Sequence, residues 1–370
     1  MSMRESKLGI GFIGCGQIGV NKHMPALAEL NDKAQMVAFC DMSREVAANA
    51  AKTFGVKDAK VYTDYHELLN DARVDVVHVL VPNAYHAGIV VDAFAQKKHV
   101  MCEKPMAINS AEAERMIDAW RKSGKKFTVA YQNRFRDEVK TLYKARKELG
   151  EIYYAEAYAI RRRGIPTWGV FTDKTKQGGG PLIDIGTHAL DLALYLMDNW
   201  EPEMVMGQTF CKIARTLKGD DQGVEKEWDA DSFNTEDSAF GMIRMKNGAV
   251  IYLKSSWALN TLDVREAAVQ LCGTKGGAEL KANGIPGSAD LVFNTTKYGK
   301  QLEIHPNITK QKSTDGRRHA ASGLEEQKAW IDAIINDTDP VVKPEEALTV
   351  TKILDAIYSS AETGKAVFFK

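Results

Sequence analysis

The first 133 residues alternate short apolar runs with amphipathic segments, and this alternation constrains the fold more than any other feature. The apolar runs are typical of strands: KLGIGFIG, AQMVAFCD, VDVVHVLVP, KKHVMCEKP and KKFTVAYQN. Segments such as SREVAANAAKTFG and SAEAERMIDAWRKSG have helical spacing, and the second begins with a serine cap and ends at Gly124. Strands that alternate with helices favour a parallel sheet covered by helices.

The first run ends in GFIGCGQIG, a glycine pattern between a strand and a helix. Glycines at this spacing allow a tight turn and a close approach of a pyrophosphate, which binds at the positive N-terminus of the helix. An acidic residue, Asp41, follows the second strand near the offset of about 20 residues typical of a ribose-binding acid. We therefore predict a dinucleotide site formed by Gly14, Gly16, Gln17, Ile18, Gly19 and Asp41.

The same residues bear on the choice of cofactor. Asp41 favours a free 2′-hydroxyl and hence NAD, whereas Arg44 nearby can partly accept a 2′-phosphate. NAD is the expected cofactor, with NADP as the alternative. A plain glycine-rich turn is the competing interpretation, which the strand, the helix and Asp41 together disfavour.

Two further turns follow strands at the edge where ligands bind in open α/β sheets. The first, VPNAYHAGIV, places Pro82 after the fourth strand, Asn83 at an N-cap position and His86 in the first turn of a helix. We expect this turn to border the cofactor, although structural hydrogen bonds alone would also explain His86.

The second turn, CEKPM, places Glu103 and Lys104 after the fifth strand. Pro105 keeps Lys104 out of the helical region and so gives the lysine a fixed direction. A lysine there can polarise a hydroxyl or carbonyl oxygen and stabilise a developing alkoxide. The alternative is an ordinary solvated lysine, because most lysines are exposed.

An apolar segment from Gln177 to Met197, QGGGPLIDIGTHALDLALYLM, contains two acids and a histidine. Asp184, His188 and Asp191 are separated by four and seven residues, which places them on one face of a helix that is apolar elsewhere. Such a helix is buried, and buried ionisable groups are costly unless they are paired. The three side chains must therefore face partners, a cofactor or a substrate.

Size and composition limit the remaining possibilities. A chain of 370 residues exceeds what one core usually supports, so we expect two domains, residues 1–133 and 134–370. Lys plus Arg equals Asp plus Glu, 49 each, which gives no electrostatic case for nucleic acid or an anionic membrane and favours a small-molecule partner. Five widely spaced cysteines without a CxxC pair suggest neither a disulfide framework nor a metal site. With no signal peptide and no apolar run of about 20 residues, we expect a cytoplasmic protein without a membrane span.

From residue 134 the pattern changes to a helical RDEVKTLYKARKELG followed by several strands. The strands are EIYYAEAYAIRRR, TEDSAFGMIRMKNGAVIYLKSSW and EAAVQLCGTKGGAEL, and MKNGAV predicts a hairpin turn. These favour an antiparallel sheet. Helical patterns return at GLEEQKAWIDAIIND and PEEALTVTKILDAIYSSAETG, and the last helix either packs on this sheet or returns to the first domain.

The glycine pattern, CEKP and GGGPLIDIGTHALDL together resemble the glucose-fructose oxidoreductase and inositol dehydrogenase (Gfo/Idh/MocA) family over nearly the whole chain. The resemblance implies an N-terminal Rossmann domain with a doubly wound parallel sheet. It also implies a C-terminal domain built on a large, mostly antiparallel sheet, open on one face and used to form homodimers or homotetramers. The substrate would bind between the two domains.

Carried over to this sequence, the resemblance implies that Lys104, Asp184 and His188 are catalytic and that Asp184 and His188 also bind substrate. The chemistry agrees, since an imidazole suits a general base in oxidation and a general acid in the reverse reaction. Asp184 would orient the imidazole or contact substrate, and Lys104 would polarise the reacting oxygen. Either Lys104 or His188 can take the proton.

The loop RRRGIPTWGVFTDKTKQGGG precedes this helix and is a candidate wall of the substrate pocket. Arg163 can donate to hydroxyls, and Trp168 offers a flat apolar face on which a sugar ring can stack. The alternatives are a solvated strand end for the arginine and core packing for the tryptophan. Asn133 and Arg134, at the carboxyl end of the sixth strand, are candidate substrate ligands as well.

The leading interpretation is an NAD(P)-dependent dehydrogenase acting on a secondary hydroxyl of a sugar, glycoside or cyclitol. A second is an NAD-dependent glycosidase that oxidises a ring hydroxyl transiently and returns the hydride. A third is a non-catalytic NAD-binding regulator, which the presence of all three catalytic residues disfavours.

Overall fold

The computed structural model describes residues 7–219, 221, 223, 228–282, 289–308 and 320–369. They form two units, each assembled from separate stretches of chain. The first comprises the described residues of 1–107, 111–132 and 312–347, and the second those of 108–110, 133–311 and 348–370. The chain thus changes unit after Gln132, and a later segment returns to the first unit.

A six-stranded parallel sheet forms the centre of the first unit. Its strand order is β3-β2-β1-β4-β5-β6, and each neighbouring pair is parallel. This is the doubly wound order, in which the chain reverses direction across the sheet between β1 and β4. The prediction of a Rossmann sheet is confirmed. The elements are β1 Leu8–Ile13, α1 Met24–Ala28, β2 Ala34–Cys40, α2 Arg44–Phe54, β3 Lys60–Tyr62, α3 Tyr65–Asn70, β4 Val76–Val79, α4 His86–Ala95, β5 His99–Cys102, α5 Ser110–Ser123 and β6 Phe127–Val129.

The core of the first unit includes side chains from a late helix, α9, Ala320–Ile335. Ile10 and Phe12 of β1 and Phe39 of β2 are fully buried, and Trp330 and Ile331 of α9 belong to the same hydrophobic cluster. The helix packs against α1 and against the π-helical turn Gly19–His23 that precedes α1. The first unit therefore depends on residues some 190 positions beyond its last strand.

A nine-stranded sheet forms the second unit, in the order β14-β13-β12-β11-β7-β10-β9-β8-β15. Only the pairing of β7 with β10 is parallel within this sheet of described strands. The predicted antiparallel sheet is confirmed, and the predicted hairpin joins β9 to β10. The elements are α6 Asp137–Ala145, β7 Ile152–Ile160, α7 Lys174–Gln177, α8 Thr187–Met197, β8 Pro202–Phe210, β9 Ser238–Met245, β10 Val250–Ser256, β11 Arg265–Gly273, β12 Gly276–Ala282, β13 Ala289–Lys297, β14 Lys300–Ile304, α10 Pro344–Thr363 and β15 Val367–Phe368.

The two faces of this sheet differ because strand side chains alternate in direction. Helix α8 packs on one face, where the alanines of β7, Ala155, Ala157 and Ala159, are fully buried. On the opposite face Tyr252 and Met206 are 39% and 51% exposed. The second sheet thus keeps one face open. Among the described helices, none is long and apolar enough to cross a bilayer.

We predict that Trp330→Ala destabilises the first unit by about 3–5 kcal/mol, because it leaves a cavity in a packed core. Hydrogen exchange should show the loss as faster exchange of the amides of β1 and β2. Lys328→Ala, an exposed position on the same helix, is the control and should leave these amides protected. Unchanged protection of β1 and β2 in Trp330→Ala would show that α9 is not part of this core.

Candidate active site

The glycine turn after β1 has the shape required for a bound dinucleotide. Gly14 has φ +93°, and a Cβ on it would lie 2.5 Å from the carbonyl oxygen of Leu80, so a side chain is excluded. A Cβ on Gly16 would meet nothing within 4 Å, which leaves open space beside the first helical turn, while one on Gly19 would press on Met24 Cε at 3.2 Å. These three positions fit a close approach of a pyrophosphate to the helix N-terminus.

Asp41 is bonded to the same turn. Its Oδ2 accepts a hydrogen bond from the backbone N–H of Cys15 (2.9 Å), and its Oδ1 accepts one from Ser43 N–H (3.0 Å). Each carboxylate oxygen has further lone pairs, so Asp41 can brace the turn and still accept from a ribose hydroxyl. The other expected cofactor residues nearby lie at the surface: Gln17, Ile18 and Arg44.

His86 joins the two turns that follow β4 and β5. Its ring is fully buried, with Nδ1 2.9 Å from the carbonyl oxygen of Pro105 and Nε2 2.9 Å from that of Val81. Burial lowers the pKa of this imidazole, so the neutral ring donates to one of the carbonyls. The geometry favours the structural role for His86. Pro82 precedes the short 3₁₀ turn Asn83–Tyr85 that leads into α4.

Glu103 supports the backbone of Lys104. Its Oε2 accepts from the Lys104 N–H (3.0 Å), while its Oε1 lies 2.9 Å from both Lys22 Nζ and His23 Nε2. Burial alone would raise the pKa of the Glu103 carboxyl, but the ammonium of Lys22 and the contact with His23 hold that pKa well below its usual range. The buried carboxylate therefore orients Lys104, whose peptide bond to Pro105 is cis.

In the second unit, the segment with the expected catalytic pair begins with a π-helical turn, Leu182–Gly186, and continues as α8. From residue 181 to residue 194 every residue is buried except Asp184 and His188. These two ionisable side chains are part-exposed within a buried stretch, and the next part-exposed residues, Tyr195 and Met197, lie at the end of α8. This selective exposure supports a chemical role for both.

Asp191, the third residue of the expected stripe, has different surroundings from Asp184 and His188, which are part-exposed. It lies three residues after His188 in the regular helix α8, so the two side chains point about 60° apart around the helix axis. Asp191 is fully buried, and its carboxylate accepts from Arg134 Nε (3.0 Å) and Nη2 (2.5 Å). Arg134 is buried too and lies over the ring of Tyr195. This ion pair favours an anchoring role for Arg134 over the expected substrate contact.

The carboxylate of Asp184 is fixed by a side chain that follows strand β10 of the second sheet. The fully buried Trp257 donates its indole N–H to Asp184 Oδ2 at 3.1 Å. Arg161 is bound by both carboxylate oxygens of Glu266, and it lies close enough to Asp184 for their charges to interact. Burial lowers the pKa of Arg161, but Glu266 and Asp184 raise it above its usual value.

Two of the three glycines before the helix, Gly179 and Gly180, make room for a buried carboxylate and its partner. Glu236 accepts from the backbone N–H of Gly180 (2.9 Å) and Leu182 (3.1 Å), and from the hydroxyl of Tyr358 (2.9 Å). A Cβ on Gly180 would lie 2.2 Å from the Glu236 carbonyl oxygen, and one on Gly179 would lie 2.0 Å from Tyr358 Oη. Glu236 thus satisfies the free N–H groups at the start of the segment that carries Asp184 and His188.

The remaining expected substrate residues differ in their surroundings. Trp168 is 59% exposed and its ring contacts Phe171, so core packing does not explain it. Arg163 donates to Asn260 Oδ1 at 2.8 Å. Asn133 is buried, and its Oδ1 accepts no hydrogen bond from the described residues. Lys104 lies in the first unit, and Asp184 and His188 lie in the second.

Comparison with known proteins agrees with this fold. The model of an oxidoreductase family with an NAD-binding Rossmann fold matches residues 8–131, and that of an oxidoreductase family C-terminal alpha/beta domain matches residues 145–369. The chain belongs to the Gfo/Idh/MocA oxidoreductase family. The expected resemblance and the expected cofactor, NAD, are confirmed.

Relatives within the Gfo/Idh/MocA family are sugar and inositol dehydrogenases. The D-glucoside 3-dehydrogenase of Escherichia coli K12 is 34% identical over 368 residues, which cover 99% of each chain. The myo-inositol 2-dehydrogenase of Thermotoga maritima is 28% identical over 97% of each chain. A levoglucosan dehydrogenase crystallised with NADH and levoglucosan shares the fold at TM-score 0.81 and 22% identity, covering 98% of this chain and 99% of that one. The protein is an NAD-binding oxidoreductase.

Several residues that support the site are not apparent from sequence patterns. Glu236 stands just before a strand, Trp257 just after one and Lys22 in the π-helical turn Gly19–His23, and each meets its partner only in the folded chain. The one available signal is the run of three glycines, which indicates that another group approaches the backbone closely. No group of three or more His, Cys, Asp or Glu side chains within the described part of the chain is arranged to bind a metal ion.

We predict that Gly180→Ala lowers the free energy of unfolding by about 1–3 kcal/mol, because the added methyl forces Glu236 away from the start of the helix. Gly88→Ala is the control, since a Cβ there meets nothing within 4 Å and an alanine suits its helix. Urea unfolding of both variants measures the difference. Equal free energies of unfolding would mean that the backbone around residue 180 shifts to accept the methyl group without loss of stability.

Proposed function

We propose that this protein is an NAD-dependent dehydrogenase that oxidises a secondary hydroxyl of a sugar, glycoside or cyclitol to a ketone. The observation that carries the proposal is the partial exposure of Asp184 and His188 within the buried stretch from residue 181 to residue 194 of an NAD-binding oxidoreductase. The substrate class rests on the relatives, which are named D-glucoside 3-dehydrogenase and myo-inositol 2-dehydrogenase. D-glucosides are the first substrates to test, because that relative matches over 99% of the chain.

Each residue of the proposed site has a defined role in the oxidation of the hydroxyl. His188 accepts the proton of the substrate hydroxyl as a general base, and Asp184 orients the imidazole or the substrate while Trp257 fixes its carboxylate. Lys104, oriented through Glu103, donates to the reacting oxygen and lowers the cost of its negative charge. Bound NAD would supply the acceptor for the hydride that leaves the carbon as the hydroxyl becomes a carbonyl, and the hydroxyl proton would leave through His188. Trp168 offers a stacking surface for a sugar ring, and Arg163 a donor for its hydroxyls.

We further propose that the protein forms homodimers or homotetramers through the open face of the second sheet. The exposed Met206, Phe210 and Tyr252 lie on that face, with the part-buried Met242 between them. An apolar surface of this kind is typical of a protein interface. Five free cysteines suit the cytoplasm, where thiols stay reduced.

The function is tested by offering NAD with methyl glucosides, aldoses and inositols and recording the absorbance of NADH. We expect one substrate class to give a signal, and His188→Asn and Lys104→Met to lower kcat by about 10²-fold or more. Lys122→Met, an exposed lysine on α5, is the matched control and should retain full activity. Aglycone release from a chromogenic glycoside without net NADH would instead support the redox-neutral glycosidase.

Cofactor choice gives a separate prediction. Asp41→Asn retains an oxygen that can accept from the Cys15 N–H but removes the charge opposed to a 2′-phosphate. We expect the preference for NADH over NADPH, measured as the ratio of Kd values by fluorescence, to fall about tenfold. Glu45→Gln, exposed in the first turn of α2, is the control. An unchanged ratio would show that Asp41 does not face the ribose.

A further inference from the structure

A buried cluster of ionisable side chains lies behind the nucleotide-binding helix of the first unit. Lys22 Nζ contacts Glu103 Oε1 at 2.9 Å and Glu326 Oε2 at 3.0 Å, and all three side chains are at most 8% exposed. His23, beside Lys22, contacts Glu103 Oε1 through Nε2 and Gln327 Nε2 through Nδ1, each at 2.9 Å. The cluster thus joins three separate parts of the chain: the nucleotide-binding helix, the turn that holds Lys104 and helix α9.

The charges in this cluster do not balance. Two carboxylates contact the single ammonium of Lys22, and the only other cation that acts on them among the described residues, Lys104, affects Glu103 through its charge without contacting Glu326. His23 adds no positive charge, because burial and the nearby Lys22 lower its pKa to about 4. His78 on β4 is fully buried, and its pKa is lowered well below the usual value by burial and by His23. With both carboxylates ionised, the cluster would carry a net negative charge in the protein interior, which is costly.

One added proton removes this charge, and Glu326 is the group placed to take it. Glu103 is held as an anion by Lys22, His23 and the Lys104 N–H. Glu326, by contrast, accepts no hydrogen bond of good geometry from the described residues and has only the ion pair with Lys22. Burial raises the pKa of Glu326 to about 7, against the opposing effect of Lys22 and with a smaller contribution from Glu103.

The cluster lies close enough to the glycine turn for the charge of Glu326 to affect binding of the cofactor phosphates. Lys22 lies six residues after Gly16, in the π-helical turn Gly19–His23 of the helical segment that begins at the glycine turn, a separation on the order of 10 Å. Ionised Glu326, in contact with Lys22, therefore adds a negative charge behind the turn that receives the pyrophosphate. Like charges at this distance in a protein interior repel by an amount that changes affinity about tenfold.

We propose that Glu326 is a proton-binding residue coupled to the cofactor, so that binding of NADH at the glycine turn is accompanied by proton uptake from solvent onto the Glu326 carboxylate. Coupling between two sites is reciprocal: protonation strengthens NADH binding, and bound NADH strengthens protonation. The inference rests on the NAD site and not on the sugar reaction. Glu326 contacts neither the predicted catalytic residues nor Gly14 or Gly16 directly, and acts through the charge of the Lys22 cluster.

The decisive measurement is calorimetry of NADH binding at pH 7 in two buffers with different enthalpies of ionisation. The difference in apparent enthalpy gives the number of protons exchanged. We expect wild type to take up a fraction of one proton and Glu326→Gln to take up close to none. Glu325→Gln, the same chemical change one residue earlier on α9, is the matched control and should behave as wild type.

The pH dependence of affinity gives an independent readout. We expect the Kd of wild type for NADH to rise about tenfold between pH 6 and pH 9, and that of Glu326→Gln to change less than twofold. No proton uptake in wild type at any pH between 6 and 9 would refute the proposal without any variant. Equal uptake by wild type and Glu326→Gln would assign the proton to another group. Glu326→Met, also non-ionisable and of similar size, serves if Glu326→Gln does not fold.

Thermal unfolding tests the raised pKa of Glu326 in the absence of cofactor, through the direction in which stability changes with pH. Because the folded pKa of Glu326 exceeds the unfolded value of 4.5, the folded protein binds the extra proton between about pH 4.5 and 7. Wild type should therefore lose thermal stability relative to Glu326→Gln as pH rises through this window. A melting difference that is constant with pH would contradict a proton on Glu326.

Discussion

The contact of one buried carboxylate, that of Glu103, with three donors holds the first unit's site together. Through Lys22 and His23 it fixes the helix that begins at the glycine turn, and through the Lys104 N–H it fixes the lysine that follows β5. A carboxylate can accept several hydrogen bonds at once. The Glu103 side chain therefore fixes the position of the helical segment after the glycine turn and that of the Lys104 backbone. Burial makes these bonds strong and their loss costly, because no water is present to replace a missing donor.

The second unit uses a similar device with different residues. Glu236 accepts from the N–H groups at the start of the segment that carries Asp184 and His188, and the glycines allow it to approach the backbone. Asp191, three residues after His188 in α8, is instead buried against Arg134. In both units a buried carboxyl group supports the backbone beside a part-exposed side chain that is predicted to be catalytic.

Local patterns in the sequence predict much of this structure. The glycine turn, the strand and helix alternation and the hairpin at MKNGAV depend on neighbouring residues, and each is found as expected. The sequence did not predict the π-helical turn, because the spacing of Asp184, His188 and Asp191 fits a straight helix equally well. Nor could it predict that Lys22 pairs with Glu326 or that Glu236 reaches Gly180, since contacts across 304 and 56 positions follow from the tertiary fold. The resemblance to a family indicated which polar residues are candidates for catalysis, but it did not indicate which other residues hold them in position.

The return of α9 to the first unit affects how the chain acquires its structure during synthesis. All six strands of the parallel sheet have been made by residue 129, yet Glu326 and Trp330 follow 197 and 201 residues later. At roughly 5–20 residues per second, a ribosome needs on the order of 10–40 s for that interval. Until then the groove that receives Trp330 is open to solvent and Lys22 faces Glu103 without its third partner. The first unit therefore cannot complete its core when its six strands have been synthesised, because α9 is still missing. During this interval the nascent chain would expose an apolar surface of the kind that chaperones bind.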